Sequence, residues 1–174
     1  MRTLFVEEAS LWLPTLEAGE TISLCGRVYT ARDAAHLRIC QLLDAGEELP
    51  VSLEGAFLYY AGPTPAPAGK VCGAFGPTTS CRMDGFAPRL YRKGVAATIG
   101  KGGRAPAVKE AIVETGGAYL IAVGGAGAFY SSKITSCREV AFHDLGCESI
   151  KELVFRDFPL TVAIDSKGRD LFAR

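Results

Sequence analysis

The sequence lacks any run of about 18 apolar residues, the length a helix needs to cross a bilayer. It also lacks an excess of either charge, with 19 Lys and Arg against 19 Asp and Glu. Bulk electrostatics therefore favour neither nucleic acid nor an anionic membrane surface as a partner. The N-terminal stretch Met1 to Glu8 is acidic where a secretory signal needs an apolar core, so a cytoplasmic location is expected. No Cys-x-x-Cys spacing occurs among the cysteines at 25, 40, 72, 81, 137 and 147. Most of them sit in apolar runs and read as free thiols of a reducing compartment. Histidine is scarce: only His36 and His143 are present. There is no internal repeat and no low-complexity tract.

What is present fits an ordinary globular chain. The 174 residues are 48% apolar and 22% charged, which suits one domain over 1–174 with a real core. Strand formers mark Ile22 to Thr30, Ala56 to Tyr60, Val71 to Phe75, Ala96 to Ile99 and Tyr119 to Val123. Helices are expected over Arg32 to Ala45, Ala87 to Lys93 and Pro106 to Thr115. Thr30 and Asp33 form a candidate capping pair for the first. The last has Val108, Ala111, Ile112 and Thr115 on one face, and Gly116-Gly117 stops it. Gly62 to Pro67 reads as a rigid connector. The tail from Val140 to Phe172 reads as short strands with turns at Gly146 and Lys167-Gly168. Alternating strands and helices in the middle, with antiparallel character at the ends, predict an α/β fold with a mixed, partly parallel sheet.

Four polar or glycine-rich segments each follow a predicted strand. They are Ala31-Arg32-Asp33, Gly76 to Asp84, Gly100 to Arg104, and Gly124 to Gly127. Ligands of α/β sheets collect beyond the carboxyl ends of parallel strands, so these segments are expected to be neighbours. Between Arg82 and Arg104 six basic residues face a single acid, Asp84. A local positive surplus beside glycine-rich turns suits a small anion, and the planar fork of arginine matches a carboxylate. Arg32 opens a helix, where the dipole and free N–H groups also favour negative charge. Thr78 and Thr79 follow Pro77 in a tight turn, and a threonine hydroxyl needs an activating group to act as a base. Neither histidine adjoins this loop in sequence, which predicts a site completed by another chain.

Blander readings compete. Lys101 lies in a near-miss to a phosphate loop, since Gly94 is one residue too far from Gly100 and Gly102 replaces the required Ser or Thr. Gly124 to Gly127 lacks the full dinucleotide fingerprint and reads as a helix start packed on the sheet. His143 reads as structural. His36 divides between orienting Arg32 and simple packing. Cys81, beside Arg82, reads as a passive thiol rather than a nucleophile.

Gly76-Pro77-Thr78-Thr79-Ser80-Cys81-Arg82-Met83-Asp84 resembles the Gly-Pro-Thr-Thr-x-x-Arg-Met-Asp loop of class I fumarate hydratases and L-tartrate dehydratases, the iron–sulfur hydro-lyases. The likeness runs along nearly the whole chain. It takes in Arg32-Asp33-Ala34-Ala35-His36, Gly100 to Arg104, Val140 to Gly146 and Asp157-Phe158-Pro159. Cys81 departs from it, standing where relatives commonly carry glycine. The resemblance is to the β subunit, or the C-terminal domain of fused members. It implies a swivelling β/β/α three-layer domain. It implies a [4Fe–4S] cluster held by three cysteines of an α subunit, with no metal ligated by this chain. Reversible hydration of fumarate to (S)-malate is the implied reaction, with L(+)-tartrate dehydration to oxaloacetate as the alternative. By position, Thr78 would be the catalytic base, and Arg32, Thr79, Arg82 and Lys101 would bind substrate. Asp33, His36, Asp84 and Arg104 would orient those groups. A heterodimer or a dimer of heterodimers is expected. A non-catalytic carboxylate-binding regulatory domain is the reading of another class.

Overall fold

The computed structural model describes residues 1–173. Its strands are β1 (Arg2–Phe5), β2 (Thr21–Thr30), β3 (Phe57–Tyr59), β4 (Ala97–Gly100), β5 (Ala118–Ile121), β6 (Ile134–Ala141) and β7 (Ile150–Ile164). The helices are α1 (Ala9–Trp12), α2 (Asp33–Ala45), α3 (Ala87–Arg92), α4 (Pro106–Thr115) and α5 (Gly127–Ser131). β1 to β5 lie side by side in sequence order and all run parallel. β7 runs antiparallel to β5, β6 and β2, so β2, β3, β4, β5 and β7 pair in a closed ring. The sheet is mixed, as the sequence predicts.

The period of two along the short central strands builds two cores. Phe57, Tyr59, Ala97, Ile99, Ala118 and Leu120 point one way and meet Phe155, Phe158 and Leu160 of β7. Leu58, Tyr60 and Tyr119 point the other way and meet Ile39 of α2, Leu90 and Tyr91 of α3, and Val108 and Ile112 of α4. The result is three layers: antiparallel strands, parallel strands, helices. Each fully buried aromatic or branched side chain contributes about 1.5–3 kcal/mol through burial. Tyr59 is fully buried, so its hydroxyl needs a partner, and it donates to the Phe75 carbonyl at 2.6 Å. That bond fixes the segment just before Gly76.

Helix α4 starts with Pro106 at its first turn and ends at Gly116, which takes the left-handed conformation at φ 72°. Val108, Ala111 and Ile112 are buried as expected. Thr115 is exposed instead, and its hydroxyl bonds back to the Ala111 carbonyl. α2 also ends at a left-handed glycine, Gly46.

Three sequence expectations are corrected. Val71 to Phe75 is not a strand. Its polar backbone is satisfied by loops: Ala74 N–H donates to Thr64 Oγ1, and Phe75 N–H to the Gly127 carbonyl. β3 pairs directly with β4, so no ladder is open to it. Thr30 does not cap α2. Its hydroxyl donates to the Ser149 carbonyl and accepts from the Lys151 N–H, tying β2 to β7. The tail is not a set of short strands. β7 runs unbroken for 15 residues through Pro159, because Asp157 at φ 51° and a bulge between Leu24 and Gly26 absorb the irregularity. β6, starting at Ile134, and the N-terminal β1 and α1 carry no expectation from the sequence.

Candidate active site

Parallel strands β2 to β5 end on one edge, and the four segments picked out in the sequence leave from it. Ala31 to Asp33 follow β2, Lys101 to Arg104 follow β4, and Val123 to Ala126 follow β5. Gly76 to Asp84 belongs to the long connection after β3, and backbone bonds return it to the same edge. Thr78 N–H donates to the Tyr60 carbonyl at 2.6 Å, and Thr79 bridges to Lys101. Thr78 is half-buried there and Thr79 exposed. Lys101 crosses the next loop: a Cβ built on Gly124 would lie 3.6 Å from its Nζ.

Ser80 joins the two loops from both sides. Its N–H donates to the Lys101 carbonyl at 3.0 Å, and its hydroxyl accepts the Lys101 N–H at 3.1 Å. The same hydroxyl carries a hydrogen that it can give to Tyr119 Oη, 2.9 Å away. Ser80 is fully buried, and the approach to Gly100 is so close that a Cβ there would overlap Ser80 Oγ. Only glycine fits at the end of β4.

Beneath this clamp lies a buried cation. Arg104 donates to Asp84 Oδ1 at 2.6 Å, to Thr98 Oγ1 at 3.0 Å and to Tyr60 Oη at 3.4 Å. Its guanidinium also faces the rings of Tyr60 and Tyr119. Asp84 Oδ2 accepts the Ala105 N–H at 2.7 Å. Burial opposes the Arg104 charge, yet Tyr60, Tyr91 and Asp84 outweigh it and raise its pKa. Burial pushes the Tyr119 phenol up, so it stays protonated and gives its one hydrogen to the Gly102 carbonyl at 2.7 Å. Arg104 and Asp84 thus hold each other and the frame of both loops.

The accessible charges lie above. Arg82 grips Asp33 at two points, 3.0 and 2.7 Å. Arg32, at the N-terminal boundary of α2, stands 4.0 Å from Asp33 and 3.5 Å from Glu148. Three cations, Arg32, Arg82 and Lys101, therefore share one rim with Asp33 and Glu148. His36 is buried beneath, against Tyr60 and Phe86. Its Nδ1–H donates to the Arg32 carbonyl at 2.8 Å, and burial lowers its pKa to about 4. His143 pairs with Glu139 and is exposed.

The donor chemistry does not fit an iron–sulfur cluster held by this chain. All six cysteines are free. Among the described residues, no group of three or more His, Cys, Asp or Glu side chains could hold a metal ion. Nor is any helix among them long and apolar enough to cross a membrane.

The sequence reading missed Glu148, Ser80 and the tyrosines at 60 and 119. Ser80 lies inside the quoted loop, so its place was visible although its role was not. Glu148 and the tyrosines gave no signal, because their partners are distant in the chain.

Fold and rim together define an α/β domain with a cationic, glycine-rich edge at the carboxyl ends of its parallel strands. The chain belongs to the family described as the Fumarase C-terminus, whose pattern matches residues 4–174. It is 35% identical over 173 residues to fumarate hydratase 2 of Leishmania major, covering 97% of this chain and 30% of that protein. It is 39% identical over 153 residues to the anaerobic class I fumarate hydratase of Escherichia coli K12, covering 87% of this chain and 28% of that one. A third relative is a putative L(+)-tartrate dehydratase subunit beta of Methanocaldococcus jannaschii. There identity is 36% over 163 residues, 90% of this chain and 84% of that subunit. The chain thus spans under a third of the two fumarate hydratases and most of the archaeal subunit. Its relatives are hydro-lyases by name.

Proposed function

We propose that this chain is the β subunit of a class I fumarate hydratase and supplies half of the active site. One observation carries the reading. The loops bearing Thr78, Arg32, Arg82 and Lys101 return to one edge of the sheet and set three cations beside a hydroxyl. The missing half would come from an α subunit corresponding to the rest of the longer relatives. A [4Fe–4S] cluster on that subunit would supply Lewis-acid chemistry toward the substrate hydroxyl.

The residues of this chain would act as follows. Arg32 and Arg82 take the two carboxylates of the substrate, each through a planar fork. Lys101 adds a third positive group, and Thr79 a hydroxyl donor. Thr78 exchanges the proton at carbon, giving it in hydration and removing it in dehydration. Its hydroxyl needs an activating base. An aspartate of the α subunit fills that role in this proposal. Asp33 holds Arg82 ready, His36 supports the Arg32 backbone, and the Asp84–Arg104 pair fixes the frame.

The test is an anaerobic assay of the co-purified α/β pair with fumarate and with L-tartrate. Fumarate turnover is expected. A second reading, the L(+)-tartrate dehydratase β subunit, is favoured by the 36% identity to the archaeal subunit over 163 residues, and turnover of tartrate alone would establish it. If the genome encodes no three-cysteine partner, the chain is instead a non-catalytic carboxylate-binding domain.

A further inference from the structure

Arg32 is boxed in more closely than Arg82. A Cβ on Gly62 would come within 2.9 Å of Arg32 Nη1 and 3.1 Å of the Cys147 carbonyl oxygen. The guanidinium therefore lies against bare backbone on one side and the loop of residues 143–148 on the other. Glu148 enters from that loop, with Oε1 3.5 Å from Arg32 Nε. Both atoms are buried, and among the described residues neither has a hydrogen-bond partner. The other nearby carboxylate, Asp33, is already committed to Arg82 at two points.

The Glu148 loop is itself pinned from below. Lys151 is 9% exposed, and its Nζ reaches the carbonyls of Gly146, Cys147 and Ser149 at 3.3, 3.4 and 3.4 Å. It also donates to Ser149 Oγ at 2.7 Å. An ammonium has three hydrogens, so these four acceptors share them, and the loop is drawn around one buried charge. From that loop outward, Glu148, Arg32, Asp33 and Arg82 pair in turn with alternating charge.

We propose that Glu148 is the positioning residue for Arg32. Lys151 sets the loop, the loop sets the Glu148 carboxylate, and that carboxylate holds the guanidinium at Nε. A guanidinium held at Nε keeps its Nη1–Nη2 edge for a second carboxylate. The proposal rests on reading Arg32 as a substrate-binding group, and it adds the device that aims it. An exposed ion pair between long side chains would be too weak for this task. Burial of both facing atoms is what separates this pair from such a case.

The test has two arms. In the first, the Arg Nε–Hε signals of the 15N-labelled chain are recorded, with Arg32→Lys used to assign Arg32. Solvent exchange at Arg32 Hε should speed up about tenfold or more in Glu148→Gln. In the second, the α/β pair carrying Glu148→Gln is assayed with fumarate. The KM should rise about tenfold, while kcat falls less than about threefold. Glu148→Asp keeps the charge with a shorter reach and should fall between. It also covers the case in which the glutamine variant does not fold. Wild-type exchange at Arg32 Hε in whichever variant folds would overturn the proposal, as would an unchanged KM. A loss of thermal stability with both readouts unchanged would leave Glu148 a fold residue only, and overturn it equally. If the wild-type pair turns over neither fumarate nor tartrate, the functional reading falls. The exchange arm still decides whether Glu148 holds Arg32.

Discussion

Arg82 and Asp33 meet at two points, Nε to Oδ1 at 3.0 Å and Nη2 to Oδ2 at 2.7 Å. Two residues along the same loop, Asp84 meets Arg104 Nε at 2.6 Å. The two pairs use the same side chains and differ in their surroundings. The Arg82 side chain is 49% exposed and the Arg104 side chain 0%. An exposed pair contributes about 0–1 kcal/mol and can open for a ligand. A buried pair opens only by stranding a charge in the interior, at about 3–5 kcal/mol. One loop thus carries one charge free to open toward a ligand and another that holds its frame.

Arg82→Lys should therefore separate binding from stability. The lysine keeps the charge and loses the fork. The KM of the α/β pair for its dicarboxylate is expected to rise about tenfold or more. Thermal denaturation of the chain should stay within about 0.5 kcal/mol of wild type. A large stability loss with normal KM would place Arg82 in the frame, not the site.

Asp84→Asn should do the reverse. It leaves the Arg104 guanidinium buried without its carboxylate, and the Ala105 N–H with a weaker acceptor. A loss of about 3–5 kcal/mol is expected in urea unfolding of the isolated chain. A stability within error of wild type would mean that Thr98 and the facing tyrosine rings suffice to hold Arg104.

The contrast also shows what the sequence could and could not disclose. The parallel strands β2 to β5, α2 and α4 were legible, because their apolar periods and terminal glycines are local signals, whereas the parallel β1 was not. Three of the four rim segments were legible too, because strand ends in a parallel sheet fall on one edge; Gly76 to Asp84 follows no strand and reaches that edge through backbone bonds to Tyr60 and Lys101. Burial was not legible. Arg82, Arg89, Arg92, Lys101 and Arg104 are all basic letters, yet among them only Arg104 has two tyrosine rings and Thr98 folded over it. Val71 to Phe75 misled because its composition is that of a strand while its hydrogen bonds go to loops. Glu148 was silent because its meaning lies in Arg32, more than a hundred residues away.

Thr78→Ala is expected to cut kcat by about two to four orders of magnitude, the usual range for a group that transfers a proton. Its main-chain bond to the Tyr60 carbonyl does not involve the side chain, so complex assembly and melting should be unchanged. Thr78→Ser keeps the hydroxyl and should recover part of the rate. Near-normal turnover by the alanine variant would remove Thr78 from the chemistry.

Ser80 and Gly100 test the clamp between the two loops. Ser80→Ala leaves the Lys101 N–H short of a buried acceptor and takes one hydrogen-bond partner from the Tyr119 hydroxyl, which keeps the Gly102 carbonyl at 2.7 Å. The expected cost is about 1–3 kcal/mol. Gly100→Ala drives a methyl into Ser80 Oγ, and a similar loss of about 1–3 kcal/mol follows from overpacking. The double variant should cost less than the sum, because removing the Ser80 hydroxyl makes room for the methyl. Strict additivity, measured by urea unfolding of all four proteins, would show that the two residues do not meet.

His36 should make the chain sensitive to acid. Burial holds its pKa down at about 4, against about 6.5 for the unfolded chain. Above 6.5 both states are neutral and the full stability is present. As pH falls below that value the unfolded chain takes up a proton and the folded one does not. Stability then drops by up to about 1.4 kcal/mol per pH unit until the folded value is reached. A proton on Nε2 would have no acceptor, since that atom is buried without a partner among the described residues. Tyr60 and Phe86 pack against the ring, and Arg104 adds a repelling charge. His36→Gln removes the titration, so its stability gap from wild type should narrow steadily between pH 6.5 and 4.5 in urea unfolding. Parallel curves would show that His36 takes up its proton as readily in the folded chain as in the unfolded one. Because Nδ1 holds the Arg32 carbonyl, the start of α2 should loosen first, and with it one of the two arginines of the rim.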